Sequence, residues 1–230
     1  WKHIKFYVAS TDVQNRLLKQ QFKKYMGISP KVVTIPVGSL EELKKPDKAR
    51  RRHALITASR LAGEKHIDWI IDAVVAAREK VPDISIDIYG KGGEEEKLRA
   101  QIVKLDCGDY VRLCGQQNLQ EVYQNYEAYL SGSTSEGFGL TLMEAVGAGL
   151  PIIGFDVRYG NPNFIDDAEN GYLIPVHDKM EKQERVEKLA ACIVRLFTEA
   201  DLERFHAHSY EKAKAYLTKE VEEKWRGILK

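Results

Sequence analysis

The chain has 230 residues, 43% of them hydrophobic and 30% charged, and its 35 Lys and Arg against 34 Asp and Glu leave a formal net charge of +1. That length admits one sizeable core, or one domain with a piece of another. The near-neutral balance gives no electrostatic footprint for nucleic acid, and no apolar run approaches the ~18 residues of a membrane span. Cys107, Cys114 and Cys192 are odd in number and lack Cys-x-x-Cys spacing, which points to a reduced chain with buried thiols rather than to disulfides or zinc. Trp1, Lys2 and His3 do not resemble a signal peptide, and the absent initiator methionine makes the sequence read as a fragment of a longer polypeptide.

Ile4 to Ala9 reads as a strand, and Thr11 or Asp12 caps a helix carrying Val13, Leu17, Leu18, Phe22 and Tyr25 at helical spacing. Gly27 stops that helix, and a second short strand runs from Val32 to Ile35, ahead of Pro36. The charged run from Glu41 to Arg52 has little apolar content and reads as a linker. From His53 the rhythm becomes regular: strand Ala54 to Ala58, helix Glu64 to Lys80, strand Ile84 to Tyr89, helix Glu94 to Leu105 and strand Tyr110 to Leu113. A short helix near Leu119 to Tyr126, strand Tyr129 to Ser131, a helix opening at Leu140, and strands Pro151 to Phe155 and Tyr172 to Pro175 continue it. Short strands alternating with helices predict an α/β fold, a doubly wound, Rossmann-like parallel sheet. Beyond Met180 the pattern is helical, with Val186, Leu189, Ala190, Ile193, Leu196 and Phe197 on one face and a restart at Asp201. A last helix, Tyr210 to Leu229, carries Ala213, Tyr216, Leu217, Val221 and Trp225 on a stripe that needs cover.

The most informative stretch is Ser135-Glu136-Gly137-Phe138-Gly139-Leu140-Thr141-Leu142-Met143-Glu144-Ala145, which sets one glutamate on a loop and a second inside a helix. Gly137 and Gly139 let the backbone approach a ligand closely and leave N–H groups free at a helix start, where anions bind. Glu144, in the second turn, is badly placed for a phosphate but suited to accept hydrogen bonds from the paired hydroxyls of a ribose. Glu136 faces a second polyol in this reading, and a phosphate between two hydroxylated rings describes a nucleotide-sugar. A lone Gly-x-Gly is more often a plain turn and a lone helical glutamate a solvated one; the order strand, glycine loop, helix, strand favours the ligand.

The same stretch resembles the E-x7-E signature of retaining glycosyltransferases of the GT-B class, family 4. The resemblance implies that Glu136 lies beside the transferred sugar and that Glu144 holds the ribose hydroxyls. Gly137, Phe138, Gly139, Leu140 and Thr141 would meet sugar and diphosphate through their backbone. It also implies that residues 48–205 are the nucleotide-sugar-binding half, residues 1–47 the end of an acceptor-side half with its linker, and residues 206–230 a helix crossing back to that half.

Thr57 to His66 resembles the family's GRL-x-x-x-K loop, with Ser59 where glycine is usual. Arg60 can fork onto a diphosphate and Lys65 adds a compact charge, the pair standing in for the metal that transferases of another fold hold with Asp-x-Asp, a motif this chain lacks. The plain alternative is two solvated cations. Gly90, in Tyr89-Gly90-Lys91-Gly92-Gly93, ends a strand at the carboxyl edge where ligands gather, although a tight turn explains it equally well. By likeness to the family loop that meets the base through backbone groups, Cys114 falls beside the base; a buried thiol is the commoner role. Asp156 to Pro162 either lines the cleft or supplies a turn and a cap. The six histidines form no i, i+4 pair with carboxylate support, so no metal site is expected.

The segments FYVASTDVQNRLLKQQF and DVRYGNPNFIDDAENGYLIP look most like family members that glycosylate serine-rich bacterial surface adhesins before export, with poly(glycerol phosphate) glucosyltransferases also similar. This likeness implies a UDP-sugar donor carrying N-acetylglucosamine or glucose, a Ser/Thr hydroxyl acceptor and a paralogous partner subunit. It implies neither cofactor nor metal, and a place in the cytoplasm, free or peripherally attached to the membrane. Because most of the acceptor-binding half is missing, little transfer is expected of these residues alone. A non-catalytic nucleotide-sugar-binding subunit and a teichoic-acid glucosyltransferase are the competing readings.

Overall fold

The computed structural model describes residues 4–46 and 48–229, so the reading of Trp1, Lys2 and His3 lies outside the described residues. The chain opens with a small unit, strand β1 (Tyr7–Ala9), helix α1 (Asp12–Met26) and strand β2 (Val32–Thr34), in which the two strands pair in parallel. Thr11 caps α1 by accepting from the Gln14 N–H, and Gly27 ends it in the left-handed region at φ 66°. The Asn15 amide ties the helix to its sheet through Val32 O and Thr34 Oγ1.

The main body is a six-stranded sheet built from β3 (Ala54–Ala58), β4 (Ser85–Tyr89), β5 (Val111–Gly115), β6 (Ala128–Ser131), β7 (Ile152–Phe155) and β8 (Gly171–Ile174). Its order is β5-β4-β3-β6-β7-β8 with every pair parallel, the arrangement expected of a doubly wound fold. All five residues of β3 are buried, as a strand covered on both faces requires. On one face Leu55, Ile86, Ile88, Leu130 and Ile153 pack against α2 (Ile67–Ala77) and α6 (Lys182–Thr198). On the other, Ile56, Tyr129 and Ile152 meet α4 (Leu140–Gly147) and a group of tyrosines. Helices α3 (Glu95–Lys104), α5 (Asn161–Phe164), α7 (Leu202–Lys214) and α8 (Thr218–Leu229) complete the chain. Asp201 caps α7 by accepting from the Arg204 N–H.

Four readings of the sequence change. The helix expected over 64–80 is interrupted at His66, whose φ of 44° separates a single 3-10 turn, Gly63–Lys65, from α2; its ring stacks on Trp69 with centroids 3.5 Å apart. The helix expected near 119–126 is only the turn Tyr123–Asn125, with Tyr123 and Tyr126 turned inward. The terminal helix expected over 210–229 splits into α7 and α8, because Tyr216 O accepts from the Leu40 N–H while Leu40 O accepts from the Thr218 N–H. Trp225 stays 39% exposed on the second piece.

The charged run after Leu40 is likewise no free linker. Leu40 and Leu43 pack on the core, and the Arg50 guanidinium gathers the carbonyls of Gln124, Tyr126 and Ala148. A buried polar cluster had no signal in the sequence: Asp87, in the middle of β4, accepts from Arg112 at 2.6 Å, Arg51 at 2.7 Å and Tyr126 at 2.5 Å. Burial pushes its carboxyl up, but the bonds from Arg112, Tyr126 and Arg51 outweigh that and hold it below the usual value.

Candidate functional site

The sheet order reverses between β3 and β6, and the loops leaving the carboxyl ends of these two strands face each other there. Gly132, just beyond β6, lies against the loop after β3 so closely that a Cβ would come within 2.8 Å of Lys65 O and 2.7 Å of His66 O. Thr134 N–H donates to Glu64 O, which stitches the two loops together.

That approach brings Lys65 Nζ to 2.6 Å from Glu136 Oε2, in an ion pair whose side chains are only 16% and 18% exposed. Ser133 Oγ reaches the same carboxylate oxygen at 3.5 Å. The backbone of Glu136 is held by the loop after β7: its N–H donates to Arg158 O, and its carbonyl accepts from the Tyr159 and Gly160 N–H groups. The segment 156–162 therefore fixes Glu136 from behind, with Gly160 wedged between Phe138 O and the Glu136 side chain.

Gly139 precedes α4 at φ 91°, a conformation glycine adopts without strain, and no side chain among the described residues caps this helix. The N–H groups of its first turn are thus presented at the helix's positive end, next to the Lys65–Glu136 pair. Phe138 turns its ring inward against Phe164 and Tyr216, so only its backbone is offered to the cleft. Leu140 is 52% exposed. Thr141 Oγ1 shares a 3.0 Å hydrogen bond with the buried Tyr129 hydroxyl, which burial pushes up to about 12.

Glu144 projects from the next turn and accepts a 3.0 Å bond from the Tyr123 hydroxyl. Burial raises its carboxyl and the Tyr123 bond partly offsets this. Glu144 and Tyr123 line a cavity of about 210 Å³ whose rim carries Ser39, Lys44 and Gln120. A neighbouring cavity of about 270 Å³ is lined by Ser59, Arg60, Tyr89, Gly90, Lys91, Gln116, Gln117 and Thr141. Leu119 lines the second and Gln120 the first, so the cavities adjoin.

Of the residues chosen from sequence, Lys65, Glu136 and the 137–141 segment come together at the switch point, with Glu144 one turn further along α4. Arg60 lies at the cavity rim, 78% exposed and paired with Glu64 at 3.0 Å. At φ 139° Gly90 backs onto Ser59 O, where any Cβ would clash. Cys114 does not line the cavity; burial raises its thiol, while its near neighbours Gln116 and Gln117 take that place. Sequence reasoning passed over Tyr123, Gln116 and Gln117. A tyrosine opening a single short turn and a glutamine pair after a strand carry no signal of their own.

The doubly wound sheet, with an uncapped helix start, an ion pair and a second carboxylate at its switch point, places the protein in the α/β class with its candidate site at the carboxyl edge of the strands. The chain belongs to a known family of this kind: the family described as "Glycosyl transferases group 1" matches residues 39–193. The "UDP-N-acetylglucosamine--peptide N-acetylglucosaminyltransferase GtfA subunit" of Limosilactobacillus reuteri subsp. suis is 52% identical over 229 residues, covering 100% of this chain and 45% of its own length. The structure described as "Crystal structure of the pneumococcal O-GlcNAc transferase GtfA in complex with UDP and GlcNAc" superposes with a TM-score of 0.92 at 50% identity, over 98% of this chain and 45% of that one. The "Crystal structure of GtfA/B complex" gives 0.95 at 49% identity with the same coverage. The chain thus spans less than half the length of these relatives, and its fold is the Rossmann-like half of the GT-B architecture. No helix among the described residues is long and apolar enough to cross a membrane.

Proposed function

We propose that this chain is the donor-binding part of a retaining transferase that moves N-acetylglucosamine from its UDP donor to Ser/Thr hydroxyls of a serine-rich protein. The carrying observation is the Lys65–Glu136 pair beside the uncapped first turn of α4, with Glu144 one turn away. In this reading the amides of residues 137–141 take the diphosphate and sugar, Glu136 orients the sugar, and Glu144 takes the ribose diol. The loop bearing Gly90 lies near the nucleotide, and the end of β5, with Cys114 behind Gln116 and Gln117, lies beside the base. Lys65 offsets the leaving-group charge, and Arg60 exchanges Glu64 for the diphosphate, so no metal is called on. The acceptor hydroxyl attacks from the leaving-group face and gives its proton to the departing phosphate.

The activity for which the Limosilactobacillus relative is named supports this donor and a peptide acceptor, and the GtfA/B complex supports a partner subunit. Residues 48–205 make up the donor domain, residues 1–47 the acceptor-side remnant with its packed connection, and residues 206–230, carrying the end of α7 and then α8, the segment that crosses back. The work takes place in the cytoplasm, free or at the membrane periphery.

Calorimetric titration with UDP-N-acetylglucosamine and UDP-glucose tests the site. Glu144→Ala is expected to weaken binding by about 1.5 to 3 kcal/mol, the worth of a hydrogen bond to a charged group. Unchanged affinity would remove the assignment.

A further inference from the structure

We infer that Gln14 is a positioning residue that sets the orientation of the Gly137–Phe138 peptide and so links the small β1–α1–β2 unit to the donor-binding loop. The inference rests on the proposed function for its consequence, but not for its geometry.

Gln14 lies in the first turn of α1, and its amide bonds in two directions. Its Oε1 accepts from the Ser10 backbone N–H at 2.9 Å and from Ser10 Oγ at 2.6 Å. Its Nε2 donates to Gly137 O at 3.3 Å, across 123 residues of sequence. A backbone N–H only donates and a backbone carbonyl only accepts, so these two partners leave the amide a single orientation. Serving α1 alone would require only the oxygen. The nitrogen is spent on the glycine loop.

Gly137 is where such a contact has most effect. A Cβ built there would meet nothing within 4 Å, so no packing at Gly137 itself fixes its side of this peptide plane. In a trans peptide the carbonyl and the following N–H point in opposite directions. Drawing Gly137 O towards α1 therefore turns the Phe138 N–H away from α1, and the buried Phe138 ring anchors the far side of the plane. The small unit thereby presets an amide on the segment proposed to receive the diphosphate and sugar.

Gln14→Glu separates this role from helix capping. Glutamate keeps an oxygen for Ser10 and suits the first turn of a helix, but it cannot donate to Gly137 O and repels it. The thermal midpoint of this variant should equal or exceed that of the parent. Its affinity for UDP-N-acetylglucosamine should fall about three- to tenfold, the worth of one hydrogen bond. The Phe138 amide ¹⁵N resonance, which senses hydrogen bonding at the preceding carbonyl, should shift in the ligand-free protein. Ser10→Ala should move the same resonance in the same direction by less. A Phe138 resonance unmoved by Gln14→Glu overturns the clamp, as does unchanged affinity in a variant whose parent binds the donor. A parent that binds no UDP-sugar overturns the proposed function instead, and the resonance still decides the clamp.

Discussion

Glu144 is the residue whose behaviour separates a working site from a solvated helix surface. Burial raises its carboxyl, and only the ionised form offers a diol a full set of acceptors. UDP affinity should therefore begin to fall at a pH above the ordinary glutamate value of about 4.3. Glu144→Gln should flatten that fall, and Tyr123→Phe, by removing the bond that favours the ionised form, should move it to higher pH. Calorimetry over descending pH reads all three, and a pH-independent parent would remove Glu144 from the site. The placement of Glu136 on a loop and Glu144 in a helix was legible because the glycine pair and apolar period announce a loop running into a helix. Tyr123 was not, since its role comes from a turn that looked like a helix in the sequence.

At the scale of elements, the site depends on how tightly the loops after β3 and β6 meet. Gly132→Ala would drive a methyl group against Lys65 O and His66 O, both backbone atoms, and prise Lys65 from Glu136. It should cost about 1 to 3 kcal/mol in stability, as overpacking does, and weaken donor binding further. Gly63→Ala is the matched control, with nothing within 4 Å of its Cβ. Denaturant midpoints and titrations of the two variants should diverge, and identical behaviour would show that close approach plays no part. The strands and most helices could be read from periodicity because each carries its own pattern. The breaks at His66 and Tyr216 could not: one relies on a ring stacked on Trp69, the other on Leu40, 178 residues away from Thr218.

For the molecule as a whole, acid sensitivity has an identifiable source in His206. Burial, with Arg50 adding to it, lowers this imidazole to about 4, and its Nδ1 lies 2.6 Å from Gly149 O. The unfolded chain takes up a proton near pH 6.5 that the folded protein does not, so this contribution is complete above that pH and is lost as the pH falls towards 4. The loss should be on the order of 2 kcal/mol by about pH 5. Urea unfolding at the two pH values measures it, and His206→Gln should abolish the difference while keeping a donor for Gly149 O. A parent equally stable at both would contradict the assignment.

The pairing of Leu40 with Leu217 carries a mechanical consequence. The polypeptide passes from the small unit into the main body along residues 35–40, and there Leu40 bonds through its N–H to Tyr216 O and through its carbonyl to the Thr218 N–H, at the break between α7 and α8. A single unsupported passage would swivel freely, whereas one fastened to the α7–α8 break resists torsion at Leu40. Rotation of the chain at this point would have to break both of those bonds first.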